Sequence, residues 1–334
     1  VRWGVDVAFI EQLADLGVIE AEPEAGRVFS CEVTLRVGRF VRLQRDLGVN
    51  VEGAAVIVEL LDRIEALEHE LLAAMQTFSA VGAAGIVMDI HTSEVLAMTS
   101  LPQLNPNAAG QGSAEARFNR ATLGVYELGS TFKPFTVAMA MDAGIVKSMG
   151  QMYSCPNALH VAGRSINDTH PFGRACSVAE IMQESSNIGT AQIADQLGTS
   201  RQREFLRNMG FLDKVPFELP ERGRTLSPGA NWNQIERMTV GFGHGIAVTP
   251  LHLASGYATL LNGGVYRAPT LLKVDRSHPA AKGRRVFSED TSYKMRALMR
   301  LVVTEGTGRR ADAPGYRVGG KTGTAEKYHN RSLV

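Results

Sequence analysis

The chain has 334 residues, 44% hydrophobic and 21% charged, with 35 basic side chains against 34 acidic ones and a formal net charge of +1. At roughly 150 residues per domain this length predicts about two domains with a sizeable core, which excludes a disordered tail or a minimal disulfide scaffold, and the near-neutral balance excludes a nucleic-acid coat. The total hides an asymmetry, because residues 1–78 carry 7 basic and 14 acidic side chains whereas residues 79–334 carry 28 and 20. Two segments of different character are joined, 1–78 and 79–334.

No apolar run reaches the 18 or so residues that span a bilayer, and the first residues lack the pattern of an export signal. Cys31, Cys155 and Cys176 fit neither a disulfide framework nor a zinc spacing. Buried free thiols are the expectation, with a Cys155–Cys176 bridge as the alternative in an exported segment. The eight histidines have no partners at ligand spacing, and no phosphate-cradling glycine loop occurs, so neither a metal nor a cofactor is expected.

In chain order, helical spacing predicts a helix over Val5 to Leu16, a turn over Glu22 to Gly26 with an extended Arg27-Val28-Phe29 beside it, and a helix over Glu32 to Leu47. This describes a small helix-turn-helix with a wing. A long helix from Val51 to about Phe78 carries Ile57, Leu60, Ile64, Leu67 and Leu71 at heptad steps, which suit either a dimer seam or packing within the chain. Beyond it, Gly85 to Ile90 and Val95 to Ser100 read as two strands around a tight turn. Then come a proline- and asparagine-rich loop, a helix from about Ser130, a polar loop through Pro156, Gly163 and Pro171, and a helix opening at Ser177. Further helices follow near Arg201 to Met209, Pro250 to Leu261 and Glu289 to Thr304, with extended stretches at Leu271 to Val274 and Tyr316 to Gly319. Strands at the ends with helices between them define an α+β class.

Three motifs carry chemistry. Ser130-Thr131-Phe132-Lys133 places a hydroxyl and an amine on one helix face, where a lysine of depressed pKa can serve as base to a serine nucleophile. Ser185-Ser186-Asn187 is expected late in the helix that opens with the capping-box pattern Ser177 to Glu180. Each of these occurs by chance about once in such a chain. Lys321-Thr322-Gly323-Thr324, after Gly319-Gly320, has a chance expectation well under about 0.01 and reads as an edge strand. His244, between two glycines, is expected in a tight turn near the cleft, and Asn167 to Pro171 is polar enough for a cleft loop, which ordinary turn chemistry explains as well.

The order and spacing of these motifs, with Asn119-Arg120-Ala121, Tyr126-Glu127, Gly243-His244-Gly245 and Glu305-Gly306-Thr307-Gly308, resemble class B penicillin-binding proteins over about residues 79–328. The resemblance implies a penicillin-binding-protein or serine β-lactamase-like fold, an antiparallel sheet with helices. It implies a peptidoglycan D,D-transpeptidase that cross-links stem peptides ending in D-Ala-D-Ala and is acylated by β-lactams. Ser130 would be the nucleophile, Lys133 the base, Ser185 and Asn187 relays that hold Lys133 and the substrate amide, and Lys321 a source of positive potential. Thr322, Gly323 and Thr324 would bind substrate, and the N–H groups of Ser130 and Thr324 would form the oxyanion hole. Family members are anchored at the periplasmic face of the inner membrane, whereas this sequence shows no anchor or export signal, so a cytoplasmic location is open for it as written. In the family the Lys-Thr-Gly strand is followed by two more strands and a helix, so with ten residues after Thr324 the sheet is expected to be incomplete. Residues 1–78, especially Leu43 to Asn50 and the heptad helix, resemble chaperone-modulator proteins that bind a J-domain co-chaperone, relatives of winged-helix regulators. Arg36, Arg39, Arg42 and Arg45 form a basic stripe there, for which a protein partner is favoured over DNA because the segment is acidic. The alternative function is therefore an inert remnant enzyme whose N-terminal module binds a protein partner.

Overall fold

The computed structural model describes residues 7–19, 31–274 and 282–325, together with the backbone at 328–329 and 332–333. The chain divides into two compact units, Val1–Val81 and Gly82–Val334. Among the described residues the first contains three helices, α1 (Val7–Asp15), α2 (Cys31–Leu47) and α3 (Val51–Thr77). Their apolar faces close on a small core in which Leu13, Phe40, Ala54 and Val58 are fully buried, and Phe9 meets Phe40 edge to face at 5.8 Å. Gly48, at positive φ, ends α2, and Asn50 starts α3 by accepting the Gly53 N–H. The expected turn at 22–26 and the extended stretch at 27–29 lie outside the described residues, as do the side chains of Leu60, Ile64 and Leu67 in the heptad seam. The arginine stripe is partly spent within the unit. Arg36 pairs with Asp62 of α3 at 2.6 Å, and Arg39 reaches the same carboxylate at 3.6 Å.

The second unit opens with the antiparallel hairpin β1 (Ala83–Met88) and β2 (Val95–Leu101), in register Ala83↔Leu101 to Val87↔Ala97. Its turn is tied by Asp89, whose Oδ1 accepts from the N–H groups of His91 (2.7 Å) and Thr92 (2.9 Å). There follow α4 (Ala114–Arg117), β3 (Tyr126–Glu127), a 3₁₀ turn at Gly129–Phe132 and α5 (Lys133–Asp142). The polar stretch expected as loop contains two nested hairpins, β4 (Met152–Cys155) with β7 (Arg174–Ser177) around β5 (Leu159–Val161) with β6 (Arg164–Ile166). These strands are three to four residues each, too short for alternation to rise above the surrounding turn residues. Next come α6 (Val178–Gln183), α7 (Asn187–Asn208), α8 (Gln234–Gly241), β8 (Ala247–Val248), α9 (Pro250–Leu261), β9 (Val265–Tyr266), β10 (Arg284–Arg285) and α10 (Glu289–Thr304). The backbone at Tyr328–His329 (β11) pairs with Ser332–Leu333 (β12).

The core of this unit runs around α5, which is buried from Lys133 to Ala140 and packs Phe135 on Phe211 and Tyr257 at 5.1 Å each. A helix wrapped in this way can hold a charged group in a fixed place, and Lys133 is its buried ionisable residue. The free-thiol expectation does not hold for Cys155 and Cys176, which are fully buried and joined in a disulfide with Cα atoms 5.8 Å apart. The antiparallel pairing of β4 with β7 brings them together across a separation of 21 residues. Closing a loop of this size is worth about 3 kcal/mol in the chain-entropy picture, so Cys155→Ala/Cys176→Ala is expected to lose roughly 2–4 kcal/mol in denaturant unfolding. An unchanged midpoint would contradict it.

Three local expectations are corrected. Ser185 to Asn187 does not sit late in a helix: α6 stops at Gln183, Ser185 takes φ 62°, and Ser186 caps a new helix. Leu271 to Val274 forms no strand, only Thr270 bridging to Glu94. The stretch from Tyr316 through Thr324 is also not a strand, because no neighbouring backbone among the described residues pairs along it. It is held by α10 instead, with Gly320 N–H donating to Met299 O (3.1 Å) and Arg300 to Val318 O (2.8 Å).

Candidate active site

The site is built where the 3₁₀ turn meets α5, the α6–α7 junction and the segment 316–325. Ser130 lies on the turn, held below by Tyr257 Oη donating to Thr131 O (2.8 Å) and by Thr131 Oγ1 donating to Leu128 O (2.7 Å). Gly129, at φ 50°, is backed onto Gly243, donating its N–H to Gly243 O at 3.1 Å. A side-chain carbon at 129 would overlap the Thr324 carbonyl, so only glycine lets the third motif close on the first.

Lys133 starts α5 and is fully buried. Its Nζ donates to the Ser185 carbonyl and, at 3.1 Å, to Ser185 Oγ. Lys321 Nζ donates to the same Oγ at 2.9 Å and to Thr322 O at 2.9 Å. The two amines therefore lie within about 6 Å of each other. Burial first, and the Lys321 charge second, pull Lys133 down to about 7. Burial likewise lowers Lys321 to about 8. An amine that loses its proton near neutrality is a usable base, which an exposed lysine is not. Ser185 Oγ, accepting from both amines, has its own O–H left to donate.

Three of the expected residues, Lys133, Ser185 and Lys321, are thus in direct contact, with Ser130 on the turn preceding Lys133. The side chains of Ser130 and Lys133 make no hydrogen bond with each other, and the two residues are linked only by the Lys133 N–H donating to Ser130 O: Ser130 sits on a 3₁₀ turn rather than within α5, and the buried ammonium turns to the two acceptors that Ser185 supplies. Asn187 is not brought to Lys133 either. It opens α7, and its amide donates to Asn167 O at 2.9 Å. Thr322, Gly323 and Thr324 are exposed, with Thr322 Oγ1 donating to Thr307 Oγ1 at 2.9 Å. His244 occupies the tight turn expected from its flanking glycines, both at positive φ, with Nδ1 3.5 Å from Glu127. Two cavities of about 660 and 830 Å³ flank this region and share Glu236, Thr239 and His244; one reaches Asn187, the other Ala325. Among the described residues no three His, Cys, Asp or Glu side chains gather as metal ligands.

Sequence reading placed Asp168 in a candidate cleft loop but gave it no role. Its carboxylate accepts from Ser186 Oγ (2.6 Å) and from the N–H groups of Asn187 (2.5 Å) and Ile188 (3.0 Å), fastening the second motif. The available signal was an aspartate 17 residues before Ser185 in a turn-rich stretch, which ordinary turn chemistry explains equally well.

The α+β fold with a buried lysine between a serine turn and a second amine defines a class, and comparison names it. Residues 83–332 match the penicillin binding protein transpeptidase domain, and the chain belongs to that family. It is 40% identical to the probable peptidoglycan D,D-transpeptidase FtsI of Caulobacter vibrioides, over 83% of this chain and 47% of that protein. With the probable peptidoglycan D,D-transpeptidase PenA of Neisseria gonorrhoeae the identity is 34%, again over 83% and 47%. The chain therefore spans about half the length of these curated relatives. The transpeptidase domain of Burkholderia pseudomallei penicillin-binding protein 3 superposes with a TM-score of 0.71 at 31% identity, covering 80% of this chain and 76% of that one. Residues 1–75 are similar to the MerR HTH family of regulatory proteins, which fits the regulator-like reading of the N-terminal segment. Residues 83–332 are three quarters of the chain, so a likeness covering 83% runs back into α3, further than the motifs alone suggested.

Proposed function

We propose that the second unit is a peptidoglycan D,D-transpeptidase working through an acyl-enzyme on Ser130. The observation that supports it most is the convergence of Lys133 and Lys321 on Ser185 Oγ, beside the turn that carries Ser130. In this reading neutral Lys133 takes the Ser130 proton as Oγ attacks the penultimate D-Ala carbonyl of a stem peptide. The N–H groups of Ser130 and Thr324 receive the oxyanion. The C–N bond then breaks, the departing D-Ala nitrogen takes a proton through the Ser185 hydroxyl, and an ester to Ser130 remains. An amine from a second stem attacks that ester, forms the cross-linking amide and returns Ser130. Lys321, with Thr322, Gly323 and Thr324, attracts and seats the substrate carboxylate.

The location that goes with this substrate is the periplasmic face of the inner membrane, an oxidising compartment in which the Cys155–Cys176 bridge persists. No helix among the described residues is long and apolar enough to cross a membrane. For the first unit a protein partner remains the reading over DNA, since Asp62 neutralises part of the arginine stripe. An inert remnant enzyme has no use for a buried lysine with a depressed pKa, which costs stability.

The test is intact-mass spectrometry after incubation with a β-lactam. One adduct per chain is expected in the wild type and none in Ser130→Ala. Folded, soluble wild type that stays unmodified would overturn the reading.

A further inference from the structure

Ser185 presents both its carbonyl and its hydroxyl to Lys133 only because its backbone stands at φ 62°, where a residue with a side chain is strained. Something outside the turn must hold it there. Asp168 does so, gripping the three residues that follow through Ser186 Oγ and the Asn187 and Ile188 N–H groups. Helix capping alone does not require this carboxylate, since Ser186 Oγ already accepts the Gly189 N–H at 2.9 Å. Asp168 is itself fixed, lying in the loop between β6 and β7 that the Cys155–Cys176 bridge encloses.

The charges acting on Lys133 come from two elements. Lys321, on the segment 316–325, opposes its protonation, and Asp168, on the loop after β6, favours it; the groups from the α6–α7 junction, the Ser185 carbonyl and hydroxyl, are neutral. We propose that Asp168 is a positioning residue for acyl transfer: its carboxylate clamps the Ser185–Ile188 turn against Lys133 and supplies a negative charge set against the paired amines of Lys133 and Lys321. The inference rests on the reading of Lys133 as the base.

Asp168→Asn separates clamp from charge. The amide oxygen keeps the two backbone N–H bonds and the NH₂ can donate to Ser186 Oγ, while the charge is gone. The acid limb of β-lactam acylation is then expected to move to lower pH by about half a unit, roughly a threefold gain in rate at pH 6 relative to the plateau. The Lys133 titration, read directly by ¹³Cε NMR of labelled lysine with Lys133→Met to assign the signal, should move the same way. Asp168→Ala, which removes clamp and charge together, is expected to lose roughly tenfold or more on the plateau, in line with loss of hydrogen bonds to a charged group. A purely structural Asp168 would leave the limb and the NMR midpoint where they are in Asp168→Asn, and that result overturns the inference. If Asp168→Asn does not fold, Ser186→Ala keeps the charge and loses the Ser186 Oγ bonds to Asp168 and to the Gly189 N–H; a slower rate with an unmoved limb is expected, and a moved limb would count against the proposal. Wild type without a Ser130 adduct would sink the transpeptidase reading alone, since the NMR titration still decides the role of Asp168.

Discussion

Lys133→Met is expected to give a protein that folds at least as well as the wild type and no longer acylates at a useful rate. Loss of a positioned general base removes about 10²–10⁴ in rate. The stability half follows from the pKa. A lysine whose value falls from 10.5 unfolded to about 7 folded is destabilising once the pH drops below 10.5, increasingly so down to about 7, and by a constant amount below that. That amount is on the order of several kcal/mol, and methionine, of similar length and apolar, fills the same slot without it. Lost acylation with unchanged or raised thermal stability at pH 7 would mark Lys133 as functional rather than structural. In the wild type the acylation rate should rise with pH through a midpoint near 7 and fall tenfold per unit below it. A flat profile from pH 6 to 8 would contradict a neutral Lys133 as base.

Lys321→Met is expected to cost about 10–10² in acylation by a carboxylate-bearing β-lactam, the range of one lost charge-assisted contact to the carboxylate. It should also move the acid limb upward. Lys321 is a cation within about 6 Å of Lys133, and its charge helps to hold Lys133 down, so its removal lets Lys133 keep its proton to higher pH. This shift is opposite in sign to that expected for Asp168→Asn. A pH-rate series on the two variants checks both signs, and shifts in the same direction would show that one of the two charges does not act through Lys133.

Much of the fold was legible because its helices announce themselves. Ser177 with Glu180 forms the capping box read from the sequence, and α9 and α10 run as expected from Pro250 and Glu289. These signals are local, confined to one turn of helix, so spacing alone carries them. The hairpin of β1 and β2 was legible for the same reason, its turn being tied by Asp89 four residues before Ser93. The third motif was legible as chemistry but not as structure, because a strand exists only when another backbone lies beside it.

By itself, the sequence determined which side chains could do chemistry: a serine and lysine three apart, a Ser-Ser-Asn run, and a Lys-Thr-Gly-Thr run too improbable to be accidental. Tertiary structure decided what those side chains face. It turned Lys133 toward Ser185 rather than Ser130, gave Asn187 to Asn167 instead of the base, closed Cys155 on Cys176, and brought Asp168 to the second motif. None of these pairings is local, and each joins segments that meet only when the core has packed. A buried amine takes whichever acceptors the folded core leaves within reach, and the identity of those acceptors is fixed only when the chain has closed around it.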